Sequence, residues 1–395
     1  MTAALRRVVV VGASLAGLRA AEALRAEGFD GELTLVGAEE HPPYNRPPLS
    51  KELLAGDAQR DEVHLQGTAE LAATWRLGVR ATGLDMDARA VALDDGTELG
   101  FDGLVIATGS DARPLPGVAP ADDVFVLRTL DDGLRLRAAL AGAPRVAVVG
   151  GGFIGCEVAA TARGLGCEVT MIDVADAPMG PRLGPRVGAW AARFHADRGV
   201  RLVLGVGVEG LERDDRLRAV RLADGTRVEA DVAVIGLGSV PNTGWLAGSG
   251  IPLGDGIVCD ASLAVEGVEG VVAAGDVASW PHAPAGVRLR VEHWSNAVEQ
   301  GMWSARTLLH GADAAGPFAT LPSFWSDQHG VRIQSIGLPA LGTESVVVEG
   351  TPEEDRFVLL YTREGRVVGA VSVGMPPRRL AKLRGTVSRG EPLAA

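Results

Sequence analysis

One pattern occurs twice, at residue 12 and again at residue 150, and it constrains the fold more than any other feature of the chain. Residues 5–11 are a short run rich in β-branched valine, of the kind buried in a parallel sheet. Gly12-Ala13-Ser14-Leu15-Ala16-Gly17 follows at once, residues 18–25 continue with helical spacing, and Leu33-Thr34-Leu35-Val36 reads as a second strand just before Glu39 and Glu40. Gly12 permits a sharp turn off the strand, a small residue at 14 lets the backbone approach a pyrophosphate, and Gly17 lets helix and strand pack closely. The helix N-terminus then offers N–H groups and partial positive charge to phosphates. An acid about 20 residues later can bond a ribose hydroxyl. Two positions depart from the full G-x-G-x-x-G pattern: Ser14 replaces the middle glycine, and Ala38 stands where an acid is expected.

The second copy is complete. Residues 145–149 lead into Gly150-Gly151-Gly152-Phe153-Ile154-Gly155, then a helix over 156–164, a strand over 168–172 and Asp173 at the expected distance. A plain strand–turn–helix accounts for either copy alone. The same rare pattern twice points to two dinucleotides in two domains.

A chain of 395 residues has room for two or three domains. A net charge of −12 argues against nucleic acid as the main ligand. Cys156, Cys167 and Cys259 form no C-x-x-C or similar pair, so neither a metal knuckle nor a redox disulfide is expected, and the usage suits a reducing compartment. Cys156 opens a helix, where a thiol pKa can be lowered, yet a small buried helix residue is the reading adopted. The histidines show no metal spacing. The chain enters its first strand at once, leaving no room for a signal peptide, and no apolar run approaches the ~20 residues a membrane helix needs. A soluble, cytoplasmic protein is expected.

Between the two copies lies His41-Pro42-Pro43-Tyr44-Asn45-Arg46-Pro47-Pro48-Leu49-Ser50-Lys51, where four prolines in eleven residues forbid regular helix or central strand. A rigid loop of this kind can place Tyr44, Arg46 and Lys51 beside a cofactor, and composition alone leaves a structural surface loop equally open. An apolar strand ending in small residues, 103–110, recurs at 232–239, so the two halves match at start and finish. Thr129 or Asp131 is a candidate N-cap for the helix that follows Arg128. Residues 270–278 read as a further buried strand ending at Asp276, and 292–309 lead into a long amphipathic helix. Alternating strands at 331–338, 344–349, 356–361 and 366–373, then a basic helix from 377 to 387, form a small α+β domain.

With these residues in hand, the chain resembles the NADH-dependent ferredoxin reductases of oxygenase systems, in the glutathione-reductase fold. The resemblance covers essentially the whole chain. It is carried by Gly12 to Gly17, Arg46-Pro47-Pro48-Leu49-Ser50-Lys51, Ala107-Thr108-Gly109, Gly150 to Gly155 with Glu157, Gly275-Asp276 and Phe324-Trp325-Ser326-Asp327-Gln328. It implies an α/β protein with two Rossmann-like dinucleotide-binding domains and a small C-terminal α+β domain. FAD would be bound by 1–111 with 243–316, NAD by 112–242, and 317–395 would form a C-terminal domain closing the back.

Residue by residue, the resemblance assigns Ser14, Ala16, Glu39, Lys51, Ala81, Arg128, Asp276 and Trp294 to FAD. Gly152, Ile154, Glu157, Asp173 and Gly238 are assigned to NADH. Gly12, Leu15, Gly17, Arg46, Thr108, Gly109, Gly150, Gly155, Gly275, Glu292, His293 and Trp325 complete the expected cofactor set. Hydride transfer needs no acid–base group, so His293 is expected to be structural in that setting. Glu39 is expected to serve the adenosine ribose in place of Ala38. Asp173, with Ala177 where a basic residue often stands, favours NADH over NADPH, because an acid bonds a 2′-hydroxyl and repels a 2′-phosphate. Lys51 and Glu157 are the expected catalytic pair. Lys51 would stabilise charge on the reduced flavin, and Glu157 would steady Lys51 and the nicotinamide amide.

Trp294 and Trp325 are candidates for a wall of the flavin pocket, core packing being the ordinary alternative. Arg378, Arg379, Lys382, Arg384 and Arg389, joined by Arg288 and Arg290, could steer an acidic partner or form a merely solvated face. The expected function is electron transfer from NADH to an iron–sulfur ferredoxin with a 2Fe–2S or 3Fe–4S cluster, feeding a cytochrome P450 or a ring-hydroxylating dioxygenase. A rubredoxin or small-molecule reductase, an NADH oxidase, and a redox-sensing protein like apoptosis-inducing factor are the alternatives. No metal is expected.

Overall fold

The computed structural model describes residues 5–118 and 121–393, and these pack as two units. Of these residues, unit 1 comprises 5–45, 64–111 and 240–322, and unit 2 comprises 46–63, 112–118, 121–239 and 323–393.

Unit 1 is built on a five-stranded parallel sheet in the order Val271–Ala273, Gly103–Ile106, Arg7–Val11, Glu32–Gly37, Thr74–Leu77. The valine run lies near its centre, and side chains alternate between two cores. Val8 and Val10 face one that includes Leu18, Leu24 and Leu35, from the helix Leu15–Ala26 and the strand beside it. Val9 and Val11 face another that includes Leu84, Val91 and Phe101, in and beside the small antiparallel sheet Ala81–Asp85, Ala90–Leu93, Glu98–Gly100. Burial on both faces is why the strand reads as continuous valine rather than as alternation. The helix Leu15–Ala26 packs on Trp294–His310, and Gly301 permits the close approach: a Cβ there would lie 2.5 Å from the Ala16 carbonyl oxygen.

Unit 2 repeats the plan with the parallel order Arg201–Leu204, Glu168–Asp173, Arg145–Val149, Val232–Ile235, Val124–Phe125. Its second sheet is antiparallel, in the order Ser323–Gln328, Val331–Gly337, Arg366–Val373, Arg356–Arg363, Glu344–Thr351, with the helix Pro377–Arg389 against it. The two sheets share one core: Val146, Val148 and Met171 belong to the same buried cluster as Ile333, Phe357, Leu359 and Val371.

The first helix starts at Leu15, three residues earlier than its apolar spacing suggests. Thr129 caps its helix in a reciprocal capping box with Asp132, so the cap is Thr129 and not Asp131. Helix Gly180–Ala196 is an element the sequence does not announce, because Gly184 (φ +78°) and Pro185 break its pattern in mid-course. It carries His195.

Candidate active site

The first glycine turn is fixed by close contacts within unit 1. Gly12 has φ +115°, and a Cβ there would stand 2.0 Å from the Ala107 oxygen; at Gly17 one would stand 1.8 Å from the Gly12 oxygen. Only hydrogen fits at either position. The helix that follows starts from Ser14 without a side-chain cap, so the N–H groups of its first turn, where Leu15 and Ala16 lie, receive no acceptor from the Ser14 side chain. Tyr44 donates its hydroxyl to Glu39 at 2.6 Å. Ala81 is buried at the start of its strand.

Thr108 and Gly109 are held by Asn242. The Thr108 hydroxyl donates to the Asn242 oxygen at 2.9 Å, and the Asn242 backbone N–H donates to the Gly109 oxygen at 3.0 Å. Asp276 accepts from the Ser110 hydroxyl at 3.1 Å. Glu292 pairs with Arg290 at 2.5 Å, His293 occupies the N-cap position of Trp294–His310, and the Trp294 indole donates to Asn45 at 3.0 Å.

Gln300 has no exposed surface. Its Oε1 accepts from the Gly275 N–H at 2.9 Å, while its buried Nε2 has no partner among the described residues. An orphaned amide donor beside the turn at Gly275, together with the uncapped first helix, fits a bound dinucleotide.

The second turn belongs to unit 2. A Cβ at Gly150 (φ +109°) would stand 2.3 Å from the Gly236 oxygen, and one at Gly155 would stand 1.9 Å from the Gly150 oxygen. Gly152 is different: a Cβ there would meet nothing within 4 Å, so its missing side chain leaves a cradle open. Beside that cradle Asp173 accepts from the Gly151 N–H and, at 2.8 Å, from the Ala175 N–H. Ile154 is 46% exposed, and Gly238 has φ +89°. Arg46 donates to the Arg128 oxygen at 2.5 Å, and Trp325 pairs with Gln334 across neighbouring strands.

Lys51 and Glu157 meet in unit 2. The proline loop turns into a short 3-10 segment, Pro47–Ser50, against the helix Phe153–Gly164; Thr161 of that helix donates to the Ser50 oxygen at 2.8 Å. Lys51 Nζ lies 2.6 Å from Glu157 Oε2, and Glu157 is 3% exposed. The same oxygen accepts from the Ser50 hydroxyl at 2.5 Å, and Oε1 accepts from the Ser326 hydroxyl at 2.6 Å. Three donors converge on one buried carboxylate, two on Oε2 and one on Oε1.

Ser50 and Ser326 carry no distinguishing mark in the sequence as ligands of Glu157. Their signal is position: Ser326 and Gln328 occupy alternate, inward-facing places on Ser323–Gln328, where apolar residues are the rule.

All three cysteines are buried and unpaired, and burial pushes the Cys156, Cys167 and Cys259 thiols up, Cys259 to about 12. Cys156 is therefore not an activated thiol despite its place at a helix start. Arg288 and Arg290, grouped by charge with the C-terminal cations, instead have acids of their own: Arg288 pairs with Glu266, and Arg290 with Asp255 and Glu292. In the C-terminal helix Arg379 pairs with Glu349, and Arg389 with Glu391 just beyond it; Arg378, Lys382 and Arg384 form no ion pair among the described residues. Among those residues no helix is long and apolar enough to cross a membrane, and no group of three or more His, Cys, Asp or Glu is placed to hold a metal.

Residues 6–301 match the pyridine nucleotide-disulphide oxidoreductase family, and residues 323–395 match the reductase C-terminal family. The chain belongs to the pyridine nucleotide-disulphide oxidoreductases. This oxidoreductase is similar to the ferredoxin reductase component of chlorobenzene dioxygenase from Cupriavidus sp. strain PS12, 39% identical over 93% of this chain and 89% of that protein. It is also similar to rhodocoxin reductase of Rhodococcus erythropolis, 35% identical over 95% of this chain and 88% of that one. Among solved structures, the covalent putidaredoxin reductase–putidaredoxin complex aligns with a TM-score of 0.93 and 32% identity, covering 99% of this chain and 94% of that one. Membership of the pyridine nucleotide-disulphide oxidoreductases implies a flavin and a nicotinamide dinucleotide, and the two glycine turns, the Gly152 cradle and the Gln300 amide fit such ligands.

Proposed function

We propose that the chain is an FAD-dependent NADH:ferredoxin reductase that passes single electrons to an iron–sulfur ferredoxin serving a cytochrome P450 or a ring-hydroxylating dioxygenase. The observation that carries this reading is the buried Lys51–Glu157 pair next to a complete dinucleotide turn, in a chain whose cysteines form no disulfide. The ferredoxin-reductase names of the relatives support it. When bound, the flavin accepts a hydride from NADH and releases electrons one at a time. The chain binds and orients. Residues 1–111 with 243–316 would hold FAD, 112–242 would hold NADH, and 317–395 would form the C-terminal α+β domain.

Glu39, Thr108, Gly109, Gly275 and Asp276 line the FAD side, together with the turn Gly12 to Gly17. Gly152, Ile154, Asp173 and Gly238 line the NADH side. Asp173 bonds the 2′-hydroxyl and disfavours a 2′-phosphate. Lys51 would supply fixed positive charge to the flavin when it is bound. Glu157, already accepting three donors, keeps Lys51 in place and retains acceptor capacity for the nicotinamide amide. Three unpaired thiols fit a cytoplasmic setting.

Stopped-flow reduction of the yellow protein by NADH and by NADPH, followed by turnover with a panel of ferredoxins, tests the reading. Fast bleaching by NADH, weak response to NADPH, and strong stimulation by one 2Fe–2S or 3Fe–4S protein are expected. Reoxidation by oxygen or dyes alone would remove the ferredoxin assignment.

A further inference from the structure

We infer that His195 and His329 are positioning residues for Glu157, acting through Gln328 and Ser326 along a buried chain of hydrogen bonds. This rests on Lys51 and Glu157 being the hydride-transfer pair.

The chain is continuous within unit 2. Ser326 lies 2.6 Å from Glu157, Gln328 Nε2 lies 3.0 Å from the Ser326 hydroxyl, His195 Nε2 lies 3.0 Å from Gln328 Oε1, and His329 Nε2 lies 3.2 Å from His195 Nδ1. His195 and Ser326 have no exposed surface, Gln328 is 1% exposed, and only His329 reaches solvent.

Each assignment forces the next. A carboxylate only accepts, so the single hydroxyl proton of Ser326 goes to Glu157 and its oxygen must accept from the Gln328 amide. Gln328 then turns its oxygen to His195, whose Nε2 must carry the proton and whose Nδ1 must accept from His329. Four donors point one way and end on Glu157. Phe194 meets both imidazoles edge-on, at 5.8 and 5.5 Å between centroids, and fixes their planes.

Burial holds both histidines down to about 4, with Arg198 facing His195, and His195, Arg198 and Arg163 facing His329; both rings are therefore neutral at pH 7, as the direction of the chain requires. Gln328 makes the chain an aligning device and not a proton wire, because an amide N–H passes polarity on without giving up its proton. Burying so many polar groups is favourable only when every member is satisfied and the whole takes one arrangement. That arrangement fixes where the Glu157 oxygens stand, and with them Lys51.

Two measurements on the flavin-loaded protein test this. In ¹⁵N-histidine NMR, His195 should be the neutral Nε2–H tautomer at pH 7, and Glu157→Gln should shift its ring signals across the two intervening side chains. In stopped flow, His195→Leu and Gln328→Met should slow flavin reduction by NADH about tenfold, with flavin content and NADH affinity unchanged. His195→Gln, whose amide can stand in for Nε2–H, should recover most of the rate.

An Nδ1–H or cationic His195 at pH 7, ring signals blind to Glu157→Gln, or a wild-type rate in His195→Leu would each overturn the inference. If His195→Leu does not fold, the NMR of the wild-type and Glu157→Gln proteins decides. If Glu157→Gln leaves the rate unchanged while the NMR coupling persists, the catalytic reading of the pair fails and the chain of hydrogen bonds stands.

Discussion

Lys51 is one of three donors on Glu157, and the only charged one, so removing it leaves a carboxylate in a place water hardly reaches. Lys51→Gln is expected to lower stability by about 3 kcal/mol, read from urea denaturation, because breaking a buried pair strands its partner. The same variant should slow flavin reduction by NADH about 100-fold, the scale on which loss of a preorganised charge is felt. Tyr44 plays a lesser part on Glu39. Tyr44→Phe removes one hydroxyl donor and should weaken FAD binding about fivefold, with an unchanged flavin spectrum. Equilibrium dialysis or fluorescence titration of the apoprotein checks it.

At the scale of the element, the two glycine turns separate folding from binding. A Cβ at Gly155 would stand 1.9 Å from a carbonyl oxygen of its own turn, whereas one at Gly152 meets nothing. Gly155→Ala should therefore give little soluble protein. Gly152→Ala should fold, keep its flavin, and raise the KM for NADH at least about tenfold, since the new methyl fills space that a pyrophosphate needs. Titration with NADH against flavin content distinguishes the two outcomes. Turns of this kind are legible in a sequence because local backbone sterics dictate their glycines, and the strands beside them are legible because burial on both faces leaves unbroken apolar runs. Ser50, Ser326, Gln328 and His195 are not, since their meaning arises only where the chain folds back on itself. His195 stands in a helix whose pattern Gly184 and Pro185 interrupt, and Gln328 lies 133 residues away from it.

For the whole molecule, the buried histidines make stability depend on acid. A free histidine titrates near 6.5, and His195 is held at about 4 by burial. Between those values the unfolded chain takes up a proton that the native chain refuses. This contribution is complete above pH 6.5 and is lost as pH falls toward 4. By pH 5 it amounts to about 2 kcal/mol for His195. Urea midpoints at pH 7 and pH 5 should show that loss in the wild type together with a share from His329, and His195→Gln, which keeps His329, should lose about 2 kcal/mol less than the wild type.

The cysteines have a different consequence at this scale. Thiolate is the form that reacts, and in this protein every thiol is enclosed by core with its ionisation suppressed. An alkylating reagent at neutral pH thus finds nothing to modify until a core opens. Cys259 lies in unit 1, and Cys156 and Cys167 lie in unit 2. Peptide-resolved labelling along a denaturant series turns these silent side chains into separate clocks, one timing the opening of each unit.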